Sequence, residues 1–182
     1  MGRMLLVSCF AMAAAAGSPA LALVDFNVFA GTDFAGEFEA GSFDVDARTG
    51  YHLGAELVFD PIEKIDLGVG LEYGFPRDAD SSSIDDLDYT HLYGIGRLFL
   101  AGELVRWYLA ARLGYTNMSA DEILNSDVDG KETWSVGTGV ELLDKVKLEL
   151  MFNNFSGEVE GGGGSSDFDY QSVSTRIVIS LR

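Results

Sequence analysis

The stretch Ile65-Asp66-Leu67-Gly68-Val69-Gly70-Leu71-Glu72-Tyr73-Gly74-Phe75 decides the fold. Every odd position is large and apolar, and every even one is Gly, Asp or Glu. That period of two belongs to a β-strand whose faces meet different surroundings. The same pattern recurs on both sides. Tyr51, Leu53, Ala55, Leu57 and Phe59 alternate with Gly50, His52, Gly54 and Glu56, and Trp107, Leu109, Ala111, Leu113 and Tyr115 with Tyr108, Ala110, Arg112 and Gly114. Trp134 to Leu142, Val146 to Asn153 and Ser172 to Leu181 repeat it. Two further segments are less regular. In one, from about Val24 to Gly36, Phe29 interrupts the polar side; in the other, from about Leu87 to Leu100, Tyr89, His91, Tyr93, Ile95 and Arg97 oppose Leu92, Gly94, Gly96 and Leu98. The alternation leaves the facing of this last segment open; arginine facing mid-bilayer lipid costs about 2–4 kcal/mol, which argues for its glycine-bearing face as the lipid face.

These segments make eight strands, and the connections between them alternate in length. Asp60 to Lys64, Ala101 to Val105 and Leu143 to Lys145 are tight turns, whereas about Glu37 to Arg48, Pro76 to Asp86, Asn117 to Lys131 and Ser156 to Asp167 are longer and rich in Asp, Glu, Ser and Gly. An up-and-down membrane barrel with short periplasmic turns and long outer loops predicts that alternation; a soluble sandwich does not.

Period two alone does not say which face is inside. A lipocalin or sandwich buries its apolar face and shows the polar one to water. Here the polar face is largely Gly with isolated charges, which makes a weak solvent face but suits a narrow lumen. Tyr51 and Phe59, Tyr73 and Phe75, and Trp107 and Tyr115 fall near strand ends, where membrane barrels carry aromatic girdles. The expected fold is therefore all-β, an eight-stranded antiparallel up-and-down transmembrane β-barrel, with a soluble ligand-binding barrel as the alternative.

The N-terminus fits that reading. Met1-Gly2-Arg3, an apolar stretch from Met4 to Ala16, and Leu21-Ala22 preceded by Ala20 have the basic, apolar and small-residue zones of a secretory signal cleaved after Ala22. A signal peptide, 1–22, and a single barrel domain, 23–182, are therefore expected. The apolar zone is shorter than the roughly 20 residues of a spanning helix. Leu6-Val7-Ser8-Cys9 has the look of a lipoprotein box but lacks a preceding apolar region, so Cys9 is expected to leave with the signal and no disulfide framework remains. The chain carries 12 Lys+Arg against 29 Asp+Glu, and loss of Arg3 leaves 11 against 29, a net charge of −18. Nucleic acid, a polyanion, is thereby excluded as a partner.

The sequence resembles the small outer-membrane barrels of the OmpA/OmpX type. The residues that carry the likeness are Gly50-Tyr51-His52-Leu53-Gly54-Ala55-Glu56, Leu67-Gly68-Val69-Gly70-Leu71-Glu72-Tyr73, Leu92-Tyr93-Gly94-Ile95-Gly96-Arg97 and Trp107 to Tyr115. The resemblance implies the outer membrane of a Gram-negative-type bacterium, reached through the periplasm, with outer-membrane lipid and the barrel-assembly machinery as partners. Such barrels commonly end in an aromatic residue; here Leu181 stands in that place and Arg182 follows it. The peptidoglycan-binding domain that some relatives carry after the last strand is not expected here.

The inward face is expected to hold Glu56, Asp66, Glu72, Arg97, Arg112, Glu141, Lys147, Glu149 and Arg176 as a lumenal charge network, since buried charges must pair or be hydrated. An ion gate and a structural plug are the two readings, and an interior just wide enough for side chains favours the plug. Hydrolase chemistry would need a base beside a nucleophile, and only His52 and His91 are available, neither within a motif. Asn125-Ser126-Asp127-Val128-Asp129-Gly130 starts like a calcium loop, yet Val136 holds the twelfth position where a bidentate Glu is required. Gly161 to Ser166 is a flexible tip without the strand-to-helix context of a phosphate loop. No metal, cofactor or catalytic residue is expected.

Each long loop carries a net charge of −3, together −12 of the −18. Weak, distributed binding of divalent cations by these loops stands beside a merely solvated acidic surface. The leading function is a non-enzymatic barrel presenting acidic loops, for envelope integrity or surface contact. A narrow channel or conduit for small or apolar solutes is the alternative, and a lipid-modifying enzyme is a third.

Overall fold

The computed structural model describes residues 24–40, 43–77, 85–102, 104–121, 127–161 and 164–181. The signal segment with Cys9, most of the second loop, Asn125, Ser126 and the glycines at 162 and 163 lie outside the described residues.

Nine strand segments run in chain order: β1 Val24–Ala40, β2 Phe43–Ala47, β3 Gly50–Ile62, β4 Ile65–Arg77, β5 Asp85–Ala101, β6 Val105–Asp121, β7 Asp127–Leu142, β8 Val146–Gly161 and β9 Gly164–Leu181. From β3 to β9 each pairs antiparallel with the next in the chain, β1 pairs antiparallel with both β2 and β3, and β1 also pairs with β9, which closes the sheet. The barrel nevertheless has eight staves, because β2 and β3 form one. Val24 to Asp33 of β1 pair with Phe59 to Gly50, and Gly36 to Ala40 resume with Ala47 to Phe43, so that Arg48 and Thr49 merely interrupt a continuous stave. Closure leaves no edge in the body of the barrel, which is what allows strands to cross a hydrocarbon layer.

The expected loop boundaries need correction. Segments assigned to the long connections by their Asp, Ser and Gly content are largely strand: β1 runs on to Ala40, β4 to Arg77, β6 to Asp121 and β8 to Gly161, while β7 begins at Asp127 and β9 at Gly164. A paired neighbour supplies backbone hydrogen bonds whatever the side chains, so position beside an existing strand overrides weak strand propensity.

Sidedness follows the alternation. Leu53, Leu71, Leu92, Leu113, Val136, Leu150 and Ile177 are exposed, one on each of seven staves, while their sequence neighbours His52, Glu72, His91, Arg112, Ser135, Glu149 and Arg176 are buried. Leu113 is 71% exposed and Arg112 2%. A belt of large apolar side chains around the whole circumference with charges inside is the reverse of a water-soluble barrel and matches a lipid-facing wall. Arg97 is buried and Leu92 and Leu98 are exposed, so β5 faces as its arginine demands, and in β1 Asp25, Asn27 and Phe29 point inward.

The lumenal glycines make room for rings. Gly70 pairs in register with Tyr93, Gly74 with Tyr89 and Gly139 with Tyr108. A Cβ on Gly70 or Gly139 would lie 2.4 Å from the nearest atom of the Tyr93 or Tyr108 ring, well inside contact distance. Overfilling such a site costs about 1–3 kcal/mol. Gly70→Ala is therefore expected to destabilise the barrel by about that amount, read by thermal unfolding in detergent. An unchanged transition would mean that the ring can move aside freely.

The short turn between β7 and β8 holds a local strain. Leu143 and Asp144 have φ of 53° and 56°, and Lys145 N–H donates to Leu142 O at 3.2 Å. Two successive left-handed residues suit a hairpin turn of the I′ kind, for which Asn-Gly is favoured, and an ordinary L-residue there costs roughly 1–2 kcal/mol. Leu143 is 74% exposed and loses little packing when replaced. Leu143→Asn should accordingly raise stability by about 1 kcal/mol, measured as an upward shift of the melting temperature.

Candidate functional site

The lumen holds the only dense set of charged side chains among the described residues, arranged in three layers. In the middle layer, Glu56 of β3, Arg97 of β5, Glu149 of β8 and Arg176 of β9 form a closed ring. Arg97 Nη2 lies 2.7 Å from Glu56 Oε2 and its Nε 2.7 Å from Glu149 Oε1. Arg176 Nη2 lies 2.8 Å from Glu56 Oε1, and its Nε donates to Glu149 Oε2. Each carboxylate oxygen thus receives a different guanidinium nitrogen, and all four side chains are shut off from solvent. Arg97 and Arg176 reach in from staves on opposite sides of the barrel, so the ring spans the lumen. Tyr93 and Tyr108 brace it, their hydroxyls donating to Glu56 Oε1 and Glu149 Oε1 at 2.9 Å each.

The layer toward the long loops is built on Glu72 of β4. Its Oε2 is 2.8 Å from Arg112 Nη1 and 3.9 Å from Arg176 Nη1, which ties this layer to the ring. The Tyr89 hydroxyl lies 2.9 Å from Glu72 Oε1 and 3.0 Å from Asp33 Oδ2, and His52 Nδ1 lies 3.3 Å from Asp33 Oδ1. Arg112 Nη2 donates to Asn153 Oδ1 at 3.3 Å, and Asn153 Nδ2 donates to Ser174 Oγ at 3.0 Å. Rings of Tyr89, His91, Phe155 and Tyr170 pack above, with Tyr89–Phe155 and Phe155–Tyr170 centroids 5.4 and 5.9 Å apart.

The third layer sits near the short turns. Lys147 Nζ is 2.9 Å from Glu141 Oε2, and Arg106 reaches Glu141 Oε1 with Nε at 2.8 Å while its guanidinium lies 4.5 Å from the Phe99 ring. Asp66 is half-buried at this end.

Eight of the nine residues singled out from the sequence are thus fully buried in the lumen, and Asp66 lies at its rim. The sequence reading left out Asp33, His52, Tyr89, Tyr93, Tyr108, Asn153 and Arg106 as members. Most of them share the alternation phase of a charged residue on their own strand, Tyr108 with Arg112 and Tyr89 and Tyr93 with Arg97, and that phase is the signal that could have found them.

His91 Nε2 is 2.9 Å from Thr133 Oγ1, and both histidines are buried inside the barrel, away from the lipid-facing wall. Among the described residues, no three His, Cys, Asp or Glu side chains are grouped to hold a metal ion. Asp127 to Gly130, from the calcium-like stretch, belong to β7 and pair with Glu160 to Gly157.

A buried ion pair that loses one partner costs about 3–5 kcal/mol, because the other charge is left without a counterion. Glu149→Gln deprives Arg97 and Arg176 of their shared carboxylate and is expected to lower stability on that scale. Asp46→Asn, at an exposed outer position, should stay within about 0.5 kcal/mol of the parent. Denaturant unfolding in micelles compares the two; equal midpoints would remove the ring as a source of stability.

No protein-family model matches the chain, and no curated protein sequence does. Solved structures do resemble it. Neisserial surface protein A (NspA) superposes with a TM-score of 0.53 at 15% identity, over 86% of this chain and 97% of its own. The outer membrane protein OprG from Pseudomonas aeruginosa gives 0.53 at 12% identity, over 87% and 96%. The outer membrane enzyme PagL gives 0.53 at 12% identity, over 85% and 99%. The chain therefore has the fold of the small outer-membrane barrels, and that fold is shared by a surface protein and an enzyme alike.

Proposed function

We propose that this chain is a non-enzymatic integral outer-membrane barrel with a sealed lumen, whose acidic outer end serves envelope integrity or contact with the surroundings. The observation that carries this reading is the solvent-excluded ring of Glu56, Arg97, Glu149 and Arg176 across the lumen. An ion passing it would have to separate charges that have no water to replace their partners, and at close range in a poorly screened interior that separation is costly. The apolar belt supports lipid as the surrounding partner, and burial of His52 and His91 in the lumen speaks against chemistry on a lipid at the outer wall. In this reading residues 1–22 act as the cleaved export signal, and the barrel-assembly machinery inserts the rest. Calcium at the acidic loops belongs to the same proposal: millimolar-range Ca²⁺ bridging carboxylates to lipid phosphates would raise the melting temperature.

One observation favours a narrow conduit instead. Asn27, Thr116, Ser135 and Ser180 bring buried polar atoms without hydrogen-bond partners to the lumen above and below the ring. Buried polar groups of this kind ordinarily hold water.

Two measurements test the reading. The unheated protein extracted in detergent should migrate differently on a gel from the boiled one, as a closed barrel does, and planar bilayers containing it should show no reproducible conductance steps. Steps of constant size would replace the sealed barrel with the conduit, and unchanged migration on boiling would overturn the membrane barrel itself.

A further inference from the structure

Asp66 is the inward charge that the three lumenal layers leave over. It is the second residue of β4, directly after the short β3–β4 turn, and it pairs across the ladder with Arg97. The cations that face it are engaged elsewhere. Lys147 of β8 is held by Glu141 of β7, Arg106 of β6 by Glu141 and, at 3.3 Å, by Asp144, and Arg97 of β5 by Glu56 and Glu149.

On its other flank stands a second acid. β3 and β4 pair at Phe59↔Leu67 and again at Ile62↔Ile65, so Asp60 and Pro61 together oppose Asp66. Asp60 continues the inward phase of Glu56 and Val58, and its side chain is hydrogen-bonded to that of Asp66. Like charges directly opposite one another ordinarily destabilise a strand pair. A carboxylate only accepts, so two of them hydrogen-bond when one carries a proton to donate. Carboxyl pairs that share a site commonly hold a single proton in this way.

The backbone leaves that contact something to hold. Pro61 has no N–H to donate, and a bulge takes its extra residue out of the ladder. Between Phe59 and Ile62 the regular pairing of β3 with β4 is thus interrupted, and side chains make the tie across the gap. The far end of the turn is fastened separately, by Phe99 N–H donating to Lys64 O at 2.9 Å.

We propose that Asp60 and Asp66 form a proton-held latch at the mouth beside the short turns. With the shared proton in place the end of β3 is tied to β4; its loss as pH rises turns the tie into repulsion and frees residues 60–62. Asp66, once ionised, competes with Glu141 for Lys147 and Arg106, the cations it faces across the lumen. Asp60 then turns to solvent, to which it is already exposed, as are Glu63 and Lys64 of the turn. Asp25 of β1 and Glu56 of β3, inward on the staves beyond, add acid and not cation to that side. The latch needs the closed barrel alone and is independent of whether the lumen conducts.

The test uses the full barrel in neutral detergent at about pH 5.5 and about pH 8.5, a range in which isolated carboxyls stay ionised throughout. Hydrogen exchange, corrected for the intrinsic rate at each pH, should show segment 59–66 at least about ten-fold less protected at the higher pH. Segment 142–146, at the β7–β8 turn, should not change. The infrared difference between the parent and Asp66→Asn should contain one protonated carboxyl at the lower pH and none at the higher. Asp66→Asn puts an amide N–H in place of the shared proton and should keep 59–66 protected at both pH values. Asp66→Ala removes the tie and should leave the segment equally unprotected at both. The band shift on boiling confirms that each variant closes, and if Asp66→Ala does not, Asp66→Asn and the infrared difference decide. Equal protection of the parent at the two pH values, a pH response that persists in Asp66→Asn, or a missing carboxyl band overturns the latch. Loss of the band shift in the parent barrel overturns the membrane-barrel reading instead.

Discussion

The structure depends on the fact that a charge placed inside a narrow barrel has to find its counterion across the lumen. Glu56 and Glu149 each accept from both Arg97 and Arg176, so removing any one of the four leaves two others short of a partner. A pair of this kind is a poor source of net stability against a well-packed apolar core, because desolvation offsets most of the attraction. Its value here is geometric. Guanidinium forks demand directed contacts, and four of them joined head to tail hold opposite walls at one separation.

Volume is the second constraint, and it explains the glycines. Three arginines, three glutamates and the rings of Tyr89, Tyr93 and Tyr108 share a space that an eight-stranded wall leaves barely large enough. Gly70, Gly74 and Gly139 lie across the ladder from those rings, so each bulky inward residue is matched by an absent one on the next stave. The tyrosine hydroxyls then reach the ring of charges as donors, and the glycine pattern and the polar network become one arrangement. Outside, nothing comparable constrains side chains beyond being apolar and wide enough to cover the wall, and Leu, Val, Ile and the aromatic residues are used there almost interchangeably.

The outer end obeys different rules. Once the staves leave the hydrocarbon, closure is no longer required, since water can satisfy a free edge. The sheet there separates into groups: β6 stays with β5, and β7 with β8, β9 and β1. A single extra residue in β7 marks the boundary. The acidic residues concentrated in these extensions would keep such edges from pairing indiscriminately with one another.

Much of this was legible in the sequence because period two acts locally. The alternation from Ile65 to Phe75 is enough to assign a strand with two unlike faces, and Arg97 alone sets the facing of an otherwise undecided one. The inward positions of Glu56, Glu72, Arg112 and Arg176 follow from that phase without any knowledge of the neighbours. The partners did not follow. Which carboxylate meets which guanidinium depends on stave order and on the stagger between strands, and residues 120 apart, such as Glu56 and Arg176, carry no mark of their pairing. Strand ends are hidden in the sequence for a related reason: Asp, Ser and Gly lower intrinsic strand preference, but the ladder beside Glu158 or Asp129 extends by backbone contact. The sequence by itself determined the faces, the count of staves and the compartment they suit, since those are properties of single strands repeated. Only the tertiary structure decided the closed ring, the rings laid over glycines and the parting of β6 from β7, because each is set by how two or more strands lie against one another.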